Sequence, residues 1–144
     1  MNKMENKGIY SFMINGQEWH FKFGMNAYKM LFEESDFFGL LTSNKIVTVA
    51  CLAFFAGAKS MRKLNNLSVD WSIEDATDYL EESDNQEVIN EIFLACMDCL
   101  GFMYRTAGAS PDHVRIMKEL GEKAREAMTK QLSALQNAEN LPTE

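Results

Sequence analysis

The stretch Lys45–Ala58, KIVTVACLAFFAGA, decides the reading of this 144-residue chain. It is apolar at almost every position, and a helix that is apolar all round has to be buried by other elements. The pattern predicts a core helix running to about Arg62. Asn44 stands where an N-cap belongs, Gly57 is a permissive residue near the end, and Lys59, Arg62 and Lys63 suit the negative end of the helix dipole. The stretch is shorter than the roughly 20 apolar residues that span a bilayer. Beyond Lys45 it carries no charge and no histidine, and Cys51 is its one reactive side chain. The deepest part of the protein offers no chemistry, which points to a protein that works through its surfaces.

On the N-terminal side, Ile9–Ile14 and Gln17–Phe23 are two short runs separated by Asn15-Gly16. That dipeptide suits a type I′ turn, which needs positive φ at both central positions, so a β-hairpin is expected. Trp19, Phe21 and Phe23 alternate with Glu18, His20 and Lys22, placing an aromatic row on one face. Tyr10, Phe12 and Ile14 supply the matching row. An isolated hairpin is marginal in water, so this face is expected to pack on helices or on another subunit, and its edges invite pairing between copies. Asn26 is the candidate cap of a helix from Ala27 to about Glu34, and Ser35–Ser43, with Phe37 and Phe38, reads as a connector.

On the C-terminal side, Asn65-Asn66 breaks the pattern, and Ser72-Ile73-Glu74-Asp75 resembles a capping box with Asp at its last position. The helix it starts has a narrow stripe of Ile73, Ala76, Thr77 and Leu80, with Glu74, Asp75, Asp78, Glu81 and Glu82 turned away. Asp84 or Asn85 caps a second core helix reaching Tyr104. Ser110-Pro111 opens a final helix to about Gln136, which Gly121 weakens. The expected architecture is an α+β, mainly α-helical single domain with an N-terminal β-hairpin and about five helices. Its parts are a flexible N-terminus (1–8), a hairpin plus helical core (9–104), a C-terminal helical extension (105–136) and a frayed tail (137–144).

The net charge of −7 conceals a division. Met1–Lys63 carries 8 bases and 5 acids, Leu64–Tyr104 carries 10 acids and no Lys or Arg, and Arg105–Glu144 is balanced at 6 and 6. A wholly acidic third repels phosphate backbones, which argues against nucleic acid as a partner. It is either a solvated face or a patch that pairs with a basic region of a partner or a second copy. No secretion signal or membrane anchor stands at the start, and three cysteines make a poor disulfide framework, so a cytoplasmic protein with reduced thiols is expected.

No familiar catalytic pattern is present. The two histidines, His20 and His113, have no ligand-spaced neighbours. Cys96-Met-Asp-Cys99 has redox or zinc spacing, but it falls inside a helical pattern rather than at a helix start, where a thiol is activated. There is no Gly-rich phosphate loop and no Gly-x-Ser-x-Gly turn. No catalytic residue, cofactor or metal is assigned.

The run Phe12-Met13-Ile14-Asn15-Gly16-Gln17-Glu18-Trp19-His20-Phe21-Lys22-Phe23-Gly24-Met25 resembles the opening of the tail assembly chaperones of long-tailed bacteriophages and prophages. In that family a short strand ending in Ile-Asn-Gly leads to an alternating strand and a Phe-Gly-Met-like step into the first helix. Ala56-Gly57-Ala58, Ser72-Ile73-Glu74-Asp75 and Tyr79-Leu80-Glu81-Glu82 resemble its middle part. The likeness covers roughly Ile9–Tyr104, and nothing from Arg105 onward matches. It implies a non-catalytic protein that self-associates and binds the tape measure protein, keeping it soluble while tail tube protein polymerises around it. The candidate contacts are Tyr10, Phe12, Trp19, Phe21, Phe23, Phe37 and Phe38, with ten methionines as an adaptable lining. The alternative is a cytoplasmic homodimeric adaptor or regulator, joined through the hairpin and binding a protein partner through the terminal helix.

Overall fold

A computed structural model describes residues 3–6, 8–43, 45–83 and 86–139. Asn15 (φ 52°) and Gly16 (φ 77°) form the expected turn. They join strands β2 (Ile9–Ile14) and β3 (Gln17–Lys22), with Phe12 opposite Trp19 and Tyr10 opposite Phe21. A third strand, β1 (Lys3–Asn6), pairs antiparallel with β2 and makes a sheet of order β1-β2-β3. The sequence analysis expects a flexible segment here, since it has no long apolar run. Main-chain pairing needs none.

Seven helices follow among the described residues, in keeping with a mainly helical α+β domain. Helix α1 (Met25–Tyr28) starts after Gly24, with no side-chain cap from Asn26, and continues as a π-helical turn, Lys29–Glu33. Helix α2 (Phe37–Thr42) occupies the expected connector, its first turn held by Asp36, whose carboxylate accepts from the Gly39 N–H at 3.2 Å. Helix α3 (Ile46–Ser60) is the core element and packs against β3, α1, α2, α4 and α5. Asn44, Asp84 and Asn85, the other expected caps, lie outside the described residues, as do 140–144.

The capping box is present at α4 (Ile73–Glu81). The Asp75 N–H donates to Ser72 Oγ at 3.2 Å, and the Ser72 N–H donates to Asp75 Oδ2 at 2.9 Å. The single helix expected up to Tyr104 is two, α5 (Gln86–Asp98) and α6 (Leu100–Thr106), separated at Cys99 by a tightened bond from the Cys99 N–H to the Cys96 carbonyl. Helix α7 (Pro111–Glu139) lies along α5 and α6.

Two aromatic clusters fill the core. Trp19 and Tyr79 stand 4.9 Å apart by ring centroids, with Phe54 against both. Trp19 Nε1 donates to the Tyr79 hydroxyl, which donates in turn to the Ile14 carbonyl, so α4 is tied to the hairpin. Phe32, Phe37 and Tyr104 form the second cluster with Tyr28. Gly57 lets α3 meet the sheet, because a Cβ there would lie 2.8 Å from the Phe23 ring.

Candidate functional site

The hairpin's aromatic face packs on the helices of its own chain. Phe12, Trp19, Phe21, Phe23 and Phe37 are each buried to within 4% of complete. In this fold they lie in the core of their own chain rather than on its surface. Tyr10 is half-buried and Phe38 is 46% exposed, so these two alone of the seven reach solvent. Edge pairing through β3 is also restricted, since the amide of the buried Asn65 occupies both main-chain groups of His20.

The expectation that α3 is buried on all sides fails at its first turns. Val47 is 78% exposed, Thr48 is exposed and Cys51 is half-buried. Among the described residues no element covers this side, and a groove of about 310 Å³ runs between α3, α4 and α5. Its apolar lining is Val47, Ala50, Cys51, Leu80 and Ile89, and Thr77, Glu81 and Asn90 supply the polar atoms. Volumes of about 300–1,000 Å³ are usual for ligand clefts. The sequence carried one signal of it, the i, i+4 pair Val47 and Cys51 on one side of an otherwise buried helix, but only the packing of α4 and α5 turns that pair into a groove.

The helices that form two of its walls carry exposed acids. Glu74, Asp75, Asp78, Glu81 and Glu82 are exposed along α4, and Glu87 is exposed on α5. A shallow basic concavity of about 400 Å³ lies at the other end of α3, where Lys59, Arg62 and Lys63 join Asn26. Lys59 Nζ there donates to the Trp71 carbonyl at 2.8 Å.

The remaining reactive groups are placed structurally. Cys96 and Cys99 are buried, and burial pushes both thiols above their ordinary value. Cys99 stands at the start of α6, but the short helix does not offset its burial. Its Sγ lies 3.4 Å from the Tyr10 hydroxyl. His20 Nδ1 meets Ser11 Oγ at 3.2 Å, and the His113 ring packs on Tyr104. Among the described residues no group of three metal-ligating side chains comes together, and no helix is long and apolar enough to cross a membrane.

The class these features define is an α+β, mainly helical domain with an open apolar groove on its surface. Family models, curated proteins and solved structures were each compared with the chain, and none matches it.

Proposed function

We propose that the chain is a non-catalytic phage tail assembly chaperone of the bacterial cytoplasm, which self-associates and binds the helical tape measure protein to keep it soluble. The observation that carries this reading is the resemblance of Phe12–Met25 to the family's opening, supported by Ser72–Asp75 and Tyr79–Glu82 further on. The physical fit of the motif residues adds support. Asn15-Gly16 makes the turn, Gly57 brings α3 onto Phe23, and Tyr79 receives Trp19. An apolar groove left open on a small domain is the kind of surface that shields another protein's apolar helical stripe. With β3 clamped at His20, the outer edge of β1 is the strand edge that serves pairing between copies.

Co-expression with the longest helical open reading frame encoded beside it, followed by affinity capture and light scattering, tests the proposal. A soluble complex whose large subunit aggregates when this chain is omitted supports it. A compact monomer that leaves the large protein insoluble overturns it and favours the adaptor. One observation speaks for that second reading: α7 is exposed from Arg125 to Ala127 and at Thr129 and Lys130, beyond its packed half.

A further inference from the structure

We infer that the groove between α3, α4 and α5 is the chain's docking site for its partner, and that it receives the apolar face of an amphipathic helix flanked by Lys or Arg. The identity of the protein presenting that helix rests on the chaperone reading. The groove is open along one side and walled by Val47, Ala50, Cys51, Leu80 and Ile89. Its about 310 Å³ admits a few aliphatic side chains on successive helical turns, not a whole helix. Val47, 78% exposed at its mouth, is the most exposed of the large apolar residues described. Leaving it in water has no structural return, and a partner side chain laid over it would recover that loss.

Charge selects the flanks of the partner. Glu74 and Glu81 share the α4 face of Thr77 by three and four spacing, and Glu87 shares the α5 face of Asn90. All three carboxylates are exposed, and no described ion pair engages them. No Lys or Arg occurs anywhere from Leu64 to Tyr104. On the third wall, Lys45 precedes α3 by one residue and stands two positions before Val47. A helix with basic flanks is therefore drawn in, and one with acidic flanks is repelled. A second copy fits poorly, because its basic surface around Arg62 and Lys63 is itself a concavity and two concave surfaces cannot fill each other.

Cys51 makes the groove measurable. It lines the groove and is half-buried, whereas Cys96 and Cys99 are buried with raised thiol pKa values. Brief maleimide treatment of the native full chain should mark Cys51 alone. The probes are a helical peptide of about 20 residues with Leu at three and four spacing and Lys on both flanks, and its counterpart with Glu for Lys. The Lys peptide should slow Cys51 labelling and bind at least about tenfold more tightly than the Glu peptide at low salt, the ratio shrinking as salt rises. Val47→Lys, at an exposed position that leaves the fold intact, should weaken the Lys peptide by about tenfold or more. Equal protection by both peptides, or none by either, overturns the inference. So does protection of Cys51 by raising the concentration of the chain alone, which would make a second copy the occupant.

The co-expressed complex separates this inference from the reading it rests on. A soluble complex in which Cys51 stays as reactive as in the free chain leaves the chaperone standing and removes the groove. Failure of the complex with Cys51 still protected by the Lys peptide removes the chaperone and leaves a groove for basic helices.

Discussion

Asn65 closes the edge of the sheet at His20. Its Oδ1 accepts from the His20 N–H at 2.8 Å, and its Nδ2 donates to the His20 carbonyl at 2.7 Å and to the Ala58 carbonyl at 2.9 Å. In the hairpin register His20 is a position whose main-chain groups point away from β2. One side chain therefore stands in for the neighbouring strand and also links β3 to the end of α3. Asn66, at φ 58°, turns the chain immediately after it, a conformation Asn tolerates better than most residues.

Replacing Asn65 with Ala should cost about 2–3 kcal/mol, because one buried and two part-buried main-chain groups lose their partner. It should also drive association beyond the parent's at equal concentration, since a second edge becomes a template for pairing. Urea denaturation and light scattering across a dilution series check both effects. A stable variant with unchanged scattering would mean that water replaces the amide without loss.

The adjacent pair Phe37 and Phe38 separates core from surface in one turn of helix. Phe37 is fully buried against Phe32, while Phe38 is 46% exposed. Phe37→Ser should lose about 3–5 kcal/mol, and Phe38→Ser should stay within about 0.5 kcal/mol of the parent. Denaturation midpoints of the two variants decide it, and equal losses would show that α2 is not seated as described. If Phe38 also meets a partner, its substitution weakens the complex without moving the midpoint.

These two residues also show how far the sequence was legible. Where neighbours in the chain carry a strong local pattern, it reports the feature they make: Asn15-Gly16, the Ser72–Asp75 box and the core helix all stand where expected. Phe37-Phe38-Gly39 lacks a helical period and read as a connector, although Asp36 is a good cap. The Asn65 clamp joins residues 45 positions apart, and an Asn-Asn pair looks like any turn. Lys3–Asn6 forms a strand through main-chain pairing. The aromatic row was legible as a buried face, but nothing local said that α3 and α4 of the same chain would bury it. Beyond the Val47 and Cys51 pair, the groove was illegible for the same reason, being a gap between three helices whose relative placement no short pattern encodes.

Alkaline pH should weaken the fold through groups the core keeps protonated. Burial, with Tyr28 adding to it, pushes Tyr104 up to about 12, and burial together with the Cys99 contact raises Tyr10 further. Cys96 and Cys99 are raised by burial from 9.0. Each group holds its proton more firmly when folded, so its contribution is fully present below its unfolded pKa and is lost as pH rises through the folded value. Urea midpoints should therefore be little affected by these groups below about pH 8 and fall steadily above about pH 9. Tyr104→Phe should flatten the part of that fall lying above pH 10.0, the ordinary tyrosine value. A fall that is unchanged in Tyr104→Phe would assign it elsewhere.

Helix α7 has a docked stretch up to Ala124 followed by an exposed one, and the division predicts opposite outcomes for two truncations. Met117 is 1% exposed, and Val114, Leu120 and Ala124 lie on the same side against α5 and α6. Gly121 marks the closest approach, where a Cβ would stand 2.6 Å from the Met97 carbonyl oxygen. Just beyond it Arg125 Nη1 donates to Asp98 Oδ2 at 2.6 Å. From there through Ala127, and again at Thr129 and Lys130, α7 is exposed. Ending the chain at Lys130 should leave the melting temperature nearly unchanged, whereas ending it at Ser110 should uncover the α5–α6 face and abolish cooperative melting. Gly121→Ala tests the same contact without shortening anything. Ala gains about 1 kcal/mol of helix propensity over Gly, but overpacking against a main-chain carbonyl costs about 1–3 kcal/mol. The balance should be a lower melting temperature, because the carbonyl of Met97 cannot rotate away as a side chain could. A higher one would mean that propensity decides, and that α7 rides on α5 and α6 too loosely to belong to the core.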